Sequence, residues 1–147
     1  MEHEEYMRQA LELARLAMAE GEVPVGCVIV RDGAVVGRGR NRRETAQTAL
    51  GHAELEAIAQ ACRTLGGWRL AGCALYVTLE PCPMCAGAIV NARIPAVYYG
   101  AKDDKAGCCG SGLNLFEERF NHHPRIYGRV LEAECAALLQ EFFQSLR

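Results

Sequence analysis

Residues 74–92 read ALYVTLEPCPMCAGAIVNA, and this stretch sets the fold of the chain. Ala74 to Leu79 is short and strongly apolar, which predicts a buried strand. Cys82 to Ala92 predicts a helix, because Pro81 and Pro83 stand at its start and its apolar residues recur at helical spacing. A strand followed at once by a helix is typical of α/β domains.

The residues on the N-terminal side of this unit predict a helix and then a hairpin. Glu2 to Glu20 carries apolar residues at helical spacing. Val25 to Arg31 and Ala34 to Arg40 are strand-like runs around Asp32-Gly33, a dipeptide that favours a tight hairpin turn. After a polar loop, a second helix ends at Gly66-Gly67. Its predicted apolar face is Leu55, Ile58, Ala59, Cys62 and Leu65.

The C-terminal side predicts two more strands, Ala96 to Tyr99 and Ile126 to Leu131, with a short helical piece at Leu115 to Arg119 between them. A closing helix follows. Its predicted apolar face is Leu131, Cys135, Leu138, Leu139, Phe142 and Leu146. Strands alternating with helices predict a three-layer α/β domain, in which helices flank both faces of a five-stranded mixed sheet. We expect residues 1–147 to form a single domain.

The composition is that of one globular domain, with 147 residues, 50% hydrophobic and 23% charged. Sixteen Lys and Arg against 18 Asp and Glu give a net charge of −2, so any polyanionic partner needs a local basic patch. The nearly apolar runs at residues 23–30 and 71–79 are shorter than the roughly 18 residues of a membrane helix. The first residues are acidic, unlike a secretion signal, so we expect a cytoplasmic protein with no membrane partner.

The eight cysteines predict metal binding or burial more than disulfides, because cytoplasmic thiols stay reduced. Cys82 and Cys85 stand three positions apart at the start of one predicted helix, and His52 stands at the start of another. Two thiolates and an imidazole are ligands that zinc accepts in tetrahedral geometry. Three ligands leave one position open, as in catalytic zinc sites. A structural zinc site and a redox dithiol remain alternatives.

Glu54 lies two positions after His52, and residues so spaced within a regular helix do not face each other. We therefore expect His52 in the first turn, where ligand and carboxylate can converge. Glu54 can then act as general base toward a zinc-bound water and as general acid toward the substrate. Cys108 and Cys109 could form a second metal site with His122 and His123, or simply a turn of small residues.

The motifs His52-Ala53-Glu54 and Pro81-Cys82-Pro83-Met84-Cys85 resemble those of zinc-dependent nucleobase and nucleoside deaminases. Several further motifs resemble bacterial tRNA adenosine deaminases and extend the resemblance over almost the whole chain. They are Glu22-Val23-Pro24-Val25-Gly26, Asn41-Arg42, Leu75 to Glu80, Gly100 to Asp103 with Lys105 and Gly107, Phe120-Asn121-His122, and Leu131 to Cys135.

The resemblance implies a cytidine-deaminase-like fold and hydrolysis of the wobble adenosine of a tRNA anticodon loop to inosine. One zinc ion per chain would be held by His52, Cys82 and Cys85. Hydroxide activated by zinc would be the nucleophile, and Glu54 would shuttle protons. The substrate residues implied are Asn41 toward the base, Pro24, Val25 and Ala53 at its pocket, and Asp103 and Lys105 on the RNA-facing loop. The resemblance also implies a homodimer.

RNA binding by charge and stacking has a weaker basis in the residues themselves. Arg38, Arg40, Arg42 and Arg43 could bind phosphates, although charge alone favours a solvated charged face and only the resemblance reverses that preference. His122 could contact stacked bases or ribose hydroxyls. The alternatives to a tRNA deaminase are a deaminase of free guanine or cytosine with the same zinc chemistry, and a zinc-stabilised binding protein without turnover.

Overall fold

The computed structural model describes residues 2–146; Met1 and Arg147, which the predicted domain includes, lie outside the described residues. The predicted order of elements is confirmed. The helices are α1 (Glu2–Ala19), α2 (Ala53–Leu65), α3 (Pro83–Asn91) and α4 (Glu132–Ser145), with a 3₁₀ turn at Leu115–Glu117. The strands are β1 (Gly26–Arg31), β2 (Ala34–Arg40), β3 (Cys73–Leu79), β4 (Ala96–Ala101) and β5 (Arg125–Tyr127).

The five strands form one mixed sheet in the order β2-β1-β3-β4-β5. β1 pairs antiparallel with β2 and with β3, whereas β3, β4 and β5 run parallel. Parallel neighbours need a crossover between them, and α3 supplies it between β3 and β4. The predicted five-stranded mixed sheet is confirmed.

Helices cover both faces of the sheet. Alternate strand residues point to opposite faces, so Ile29 and Leu75 pack in a core with α2 and α3, whereas Val28 and Tyr76 pack in a second core with α1 and α4. The three-layer α/β architecture is thereby confirmed. Among the helices of residues 2–146, none has both the length and the apolar character that a membrane crossing requires.

The last strand is shorter than the sequence predicts. It ends at Tyr127 instead of Leu131, because the backbone turns into the left-handed region at Arg129 (φ 70°) and again at Leu131 (φ 53°), where α4 begins. Leu146 does not belong to the apolar face of α4. It lies beyond the end of that helix and is exposed.

The buried face of α2 also differs from the prediction. The helix buries Ala53, Glu54, Ala57 and Ala61, whereas Ala59 is exposed and the four larger residues of the predicted face are half-buried. The cause lies in β2, where Gly39 brings the strand so close that a Cβ on it would lie 2.1 Å from the Ala53 carbonyl oxygen. Only small side chains fit such an interface.

Candidate active site

The three predicted metal ligands lie at the starts of two helices. His52 immediately precedes α2 with an extended backbone (φ −95°, ψ 148°). Cys82 holds the same position before α3 (φ −78°, ψ 175°), and Cys85 lies in the first turn of that helix. Pro83 suits the first position of α3, where a backbone N–H has no partner within the helix.

The distances between the ligand atoms fit a zinc ion. His52 Nδ1 lies 3.6 Å from Cys82 Sγ and 3.4 Å from Cys85 Sγ, and all three atoms lie within 4.8 Å of one another. In a tetrahedron with zinc bonds of about 2.3 Å to sulfur and 2.0 Å to nitrogen, sulfur and nitrogen are about 3.5 Å apart. Within residues 2–146 no other group of three His, Cys, Asp or Glu side chains has this arrangement, so Cys108 and Cys109 form no second site.

One of the two thiols is poised to ionise. A hydrogen bond from the Cys85 thiol lowers the pKa of Cys82 to about 4, and the contact with His52 adds to the effect. The thiolate is the form of cysteine that binds metals. The lowered pKa therefore favours the thiolate form of Cys82 at neutral pH, which is the form that binds a metal cation.

Glu54 is a buried carboxyl beside this cluster, with 4% of its surface exposed. Burial raises its pKa to about 7. A group that titrates near neutral pH is suited to accept and return a proton. The sequence predicted His52 in the first turn of α2, but His52 lies one residue before the helix. Its extended backbone lets the side chains of His52 and Glu54 line the same cavity.

A cavity of about 230 Å³ opens onto the cluster. This volume lies below the 300 to 1,000 Å³ or so of pockets for drug-sized ligands, so the cavity fits a group the size of a single base. Its lining comes from five separate parts of the chain: Val23, Val25, Asn41, Arg43, His52, Ala53, Glu54, Leu79, Glu80, Cys82, Asp103 and Ala106.

Comparison with known proteins identifies the family. The chain matches the family model of MafB19-like deaminases over residues 1–147. It is 51% identical over 143 residues to the tRNA-specific adenosine deaminase of Bacillus subtilis (strain 168), an alignment that covers 97% of this chain and 89% of the relative. The chain belongs to the family of tRNA-specific adenosine deaminases.

Solved structures agree with this family assignment. A structure from studies of A-to-I editing by tRNA:A34 deaminases at the wobble position of transfer RNA has a TM-score of 0.88 and 45% identity, covering 91% of this chain and 98% of that one. The guanine deaminase of Nitrosomonas europaea has a TM-score of 0.79 but 23% identity, covering 95% of this chain and 83% of that one. At that identity the second likeness concerns the fold alone.

The deaminase fold brings together four of the seven predicted substrate residues. Val25, Asn41, Ala53 and Asp103 line the cavity with Glu54. The Asn41 side chain connects two segments of the chain. Its Nδ2 donates to the Val23 carbonyl, and its Oδ1 accepts from the Arg43 N–H. This holds the amide at the cavity wall.

The other three predicted substrate residues do not line the cavity. Pro24 is buried beside Val25. Lys105 is exposed, and its backbone N–H donates to the Asp103 carboxylate. His122 lies 2.6 Å through Nε2 from the carbonyl oxygen of Ile94, next to the end of α3. This contact holds the ring of His122 beside the segment that follows α3.

Two buried carboxylates support the cavity and were not predicted as site residues. Glu22 accepts hydrogen bonds from the backbone N–H groups of Glu44 and Thr45 and from the Thr45 hydroxyl. The loop after β2 is therefore tied to the end of α1. Each of the two carboxylates, Glu22 and Glu80, is 2% exposed.

Glu80 has the corresponding role on the opposite side of the cavity. It accepts hydrogen bonds from the N–H groups of Asp103, Cys109 and Ser111, at 3.0 to 3.1 Å. The loop at 103–111 is therefore tied to the end of β3. The local sequence shows only that Glu22 precedes the apolar run at 23–30 and that Glu80 follows the run at 71–79, while the backbone groups that they bind are distant along the chain.

Proposed function

We propose that this chain hydrolyses the wobble adenosine of a tRNA anticodon loop to inosine and ammonia. The observation that carries the proposal is the Glu54 carboxyl, buried in a base-sized cavity next to the cluster of His52, Cys82 and Cys85. The chain's membership of the tRNA-specific adenosine deaminases names the substrate. An adenosine in a single-stranded loop leaves its stack at low cost, which suits a cavity of base size.

Zinc is the proposed cofactor, one ion per chain, with His52, Cys82 and Cys85 as its ligands. Bound zinc acts as a Lewis acid and makes a water molecule nucleophilic at neutral pH. The donor set supports zinc, because sulfur and imidazole nitrogen are its usual protein ligands. Three protein ligands leave room for the reacting water.

Glu54 is the proposed proton carrier. Its carboxylate accepts a proton from the attacking water and delivers it to the adenine ring or to the departing amine. The pKa of about 7 supports both directions of transfer, because charged and neutral forms are then similar in free energy at neutral pH. Burial also keeps bulk water from the proton in transit.

The remaining predicted residues have supporting roles in the proposal. Asn41 hydrogen-bonds the base, while Val25 and Ala53 contact its faces and Pro24 backs that wall. Asp103 contacts the RNA from the cavity wall, and Lys105 and His122 contact it outside the cavity. We further propose a homodimer of single-domain chains and a cytoplasmic reaction, where tRNA is found; sedimentation velocity over a range of concentrations tests the dimer.

A substrate panel tests the proposal. Purified protein is incubated with an anticodon stem-loop that carries adenosine at the wobble position, and separately with free guanine, cytosine and adenosine. We expect inosine in the stem-loop and little turnover of the free compounds. If the protein deaminated free guanine or cytosine and left the stem-loop unchanged, the free-base alternative would be established instead.

The variant Glu54→Gln tests the proton carrier. It keeps the size of the side chain but removes the titrating group, so we expect full zinc content and a loss of inosine formation by several orders of magnitude. Glu134→Gln on the exposed surface of α4 is the matched control. A binding protein without turnover predicts no activity in either form.

A further inference from the structure

A groove rich in arginine runs along the outside of β2 and α2. Its volume is about 520 Å³, and four of its lining residues are Arg38, Arg40, Arg42 and Arg63. We call it the arginine groove. It is separate from the catalytic cavity, and the proposed reaction chemistry does not use it.

Two of the four guanidinium groups are held in place by carboxylates. Arg40 donates to Glu20 through Nε at 2.8 Å and through Nη2 at 3.0 Å. Arg42 Nη1 lies 3.7 Å from a carboxylate oxygen of Glu56. Such pairs are weak contributors to stability at a surface, but they restrict the guanidinium to one orientation.

Positive charge remains after these pairs are counted. Four arginines against Glu20 and Glu56 leave 4 − 2 = +2 in the groove, whereas the whole chain carries −2. Within residues 2–146, Arg38 and Arg63 take part in no ion pair, and both side chains are exposed. The groove therefore has donors available for an anion.

The groove begins next to the catalytic cavity. Arg42 lines the groove, and the following residue, Arg43, lines the cavity. From Glu54 in the cavity to Arg63 at the far end, α2 extends nine residues, about 14 Å at 1.5 Å per residue. Phosphates of one strand recur about every 3.4 Å along the axis of duplex DNA, and at a spacing of this order a length of about 14 Å spans several phosphates.

We propose that the arginine groove binds backbone phosphates of the RNA whose adenosine enters the catalytic cavity. Guanidinium groups bind phosphate through paired hydrogen bonds, and Arg38 and Arg63, which take part in no ion pair within residues 2–146, have the donors for them. Phosphate contacts fix register and affinity without reading sequence, so the groove positions the RNA and does not select the base. This inference rests on the proposed function.

Binding measurements test the groove. Arg38→Gln, Arg63→Gln and the double variant are prepared in the Glu54→Gln background, so that the RNA is not consumed. Both arginines are exposed, so the fold tolerates the changes. A fluorescent anticodon stem-loop is titrated by anisotropy at several salt concentrations. We expect each lost contact to reduce the slope of log affinity against log salt by about 0.7 to 0.9, with the affinities converging at high salt.

Arg15→Gln is the control, because it removes the same charge from an exposed position on α1. If the double variant binds the stem-loop like this control, the inference is wrong. It is also wrong if the double variant loses binding of inorganic triphosphate while its affinity for the stem-loop is unchanged. If the parent protein forms no inosine, the proposed function fails; if inosine forms and the groove variants bind normally, the groove alone fails.

Discussion

Glu80 determines the position of the loop that carries two of the proposed RNA contacts. Its carboxylate accepts hydrogen bonds from three backbone N–H groups in the loop at 103–111. Asp103 and Lys105, two of the proposed RNA contacts, belong to this loop. Gly107 packs so tightly on this carboxylate that an added Cβ would lie 2.5 Å from Glu80 Cδ. The loop is therefore built around a buried negative charge.

Glu80→Gln is expected to destabilise the protein by about 2 to 3 kcal/mol, because an amide NH₂ replaces an acceptor that faces backbone donors. We also expect a higher KM for the stem-loop, since the loop loses its fixed position. Urea unfolding measures the first effect and steady-state deamination the second. Glu117→Gln, an exposed position, is the control, and equal urea midpoints for the two variants would contradict the expectation.

Glu22 makes stability depend on pH. Burial raises the pKa of this carboxyl, but hydrogen bonds from Thr45 and Glu44 outweigh it and hold the pKa below its ordinary value. A carboxyl with a lowered pKa in the folded state stabilises the protein above its unfolded pKa of about 4.3, and this contribution is lost as the pH falls through the folded value.

We therefore expect Glu22→Gln to lose stability relative to the parent protein near pH 7, and the difference to shrink as the pH falls below about 4. Urea unfolding at a series of pH values measures it. Glu134→Gln on exposed α4 should show a small difference at every pH. A gap between Glu22→Gln and the parent that widened toward low pH would contradict the assignment of a lowered pKa.

At the scale of elements, the contact of α2 with β2 places His52 and Glu54, the proposed metal ligand and the proposed proton carrier. Gly37 and Gly39 allow the helix backbone to lie against the strand: added Cβ atoms would lie 2.3 Å from the Ala57 carbonyl oxygen and 2.1 Å from that of Ala53. Ala53 is the first residue of α2, between His52 and Glu54. The distance between strand and helix thus sets where the side chains of His52 and Glu54 lie.

Gly39→Ala is expected to push α2 away from β2 and destabilise the protein by about 1 to 3 kcal/mol, as overpacked interiors do. Zinc content should fall with it, because His52 moves relative to the two cysteines. Thermal unfolding and metal analysis measure the two effects. Gly67→Ala is the matched control, since its Cβ would meet open space. Full zinc content and an unchanged melting temperature in Gly39→Ala would contradict this role.

The elements were predictable from the sequence because apolar periodicity and turn residues are local signals. The clustering of His52, Cys82 and Cys85 was predictable because His52 and Cys82 stand where two predicted helices start. The buried face of α2 was not, since it depends on glycines in β2 that the helix meets only after folding. Glu22 and Glu80 were not predicted as site residues for the same reason, because their hydrogen-bond donors lie 22 to 31 residues away along the chain.

At the scale of the whole molecule, the proposed metal joins two parts of the chain that are 30 residues apart, His52 and Cys82. The fold does not depend on it alone. Two hydrophobic cores hold four helices to the sheet, and most of the residues in them lie outside the metal cluster. Zinc should therefore stabilise an already folded protein, unlike the zinc of small finger domains, which supplies their folding energy.

Removal of zinc by a chelator is expected to lower the melting temperature while the far-ultraviolet circular dichroism stays that of an α/β protein. Zinc at 100 to 1,000 times its dissociation constant stabilises by about 3 to 4 kcal/mol, which corresponds to roughly 5 to 15 °C for a chain of this size. Adding zinc back should restore the melting temperature and inosine formation together. The double variant Cys82→Ala with Cys85→Ala should show no zinc-dependent shift. Loss of helical signal on chelation would mean that the two cores cannot hold the fold, and an unchanged melting temperature would mean that the cluster holds no metal.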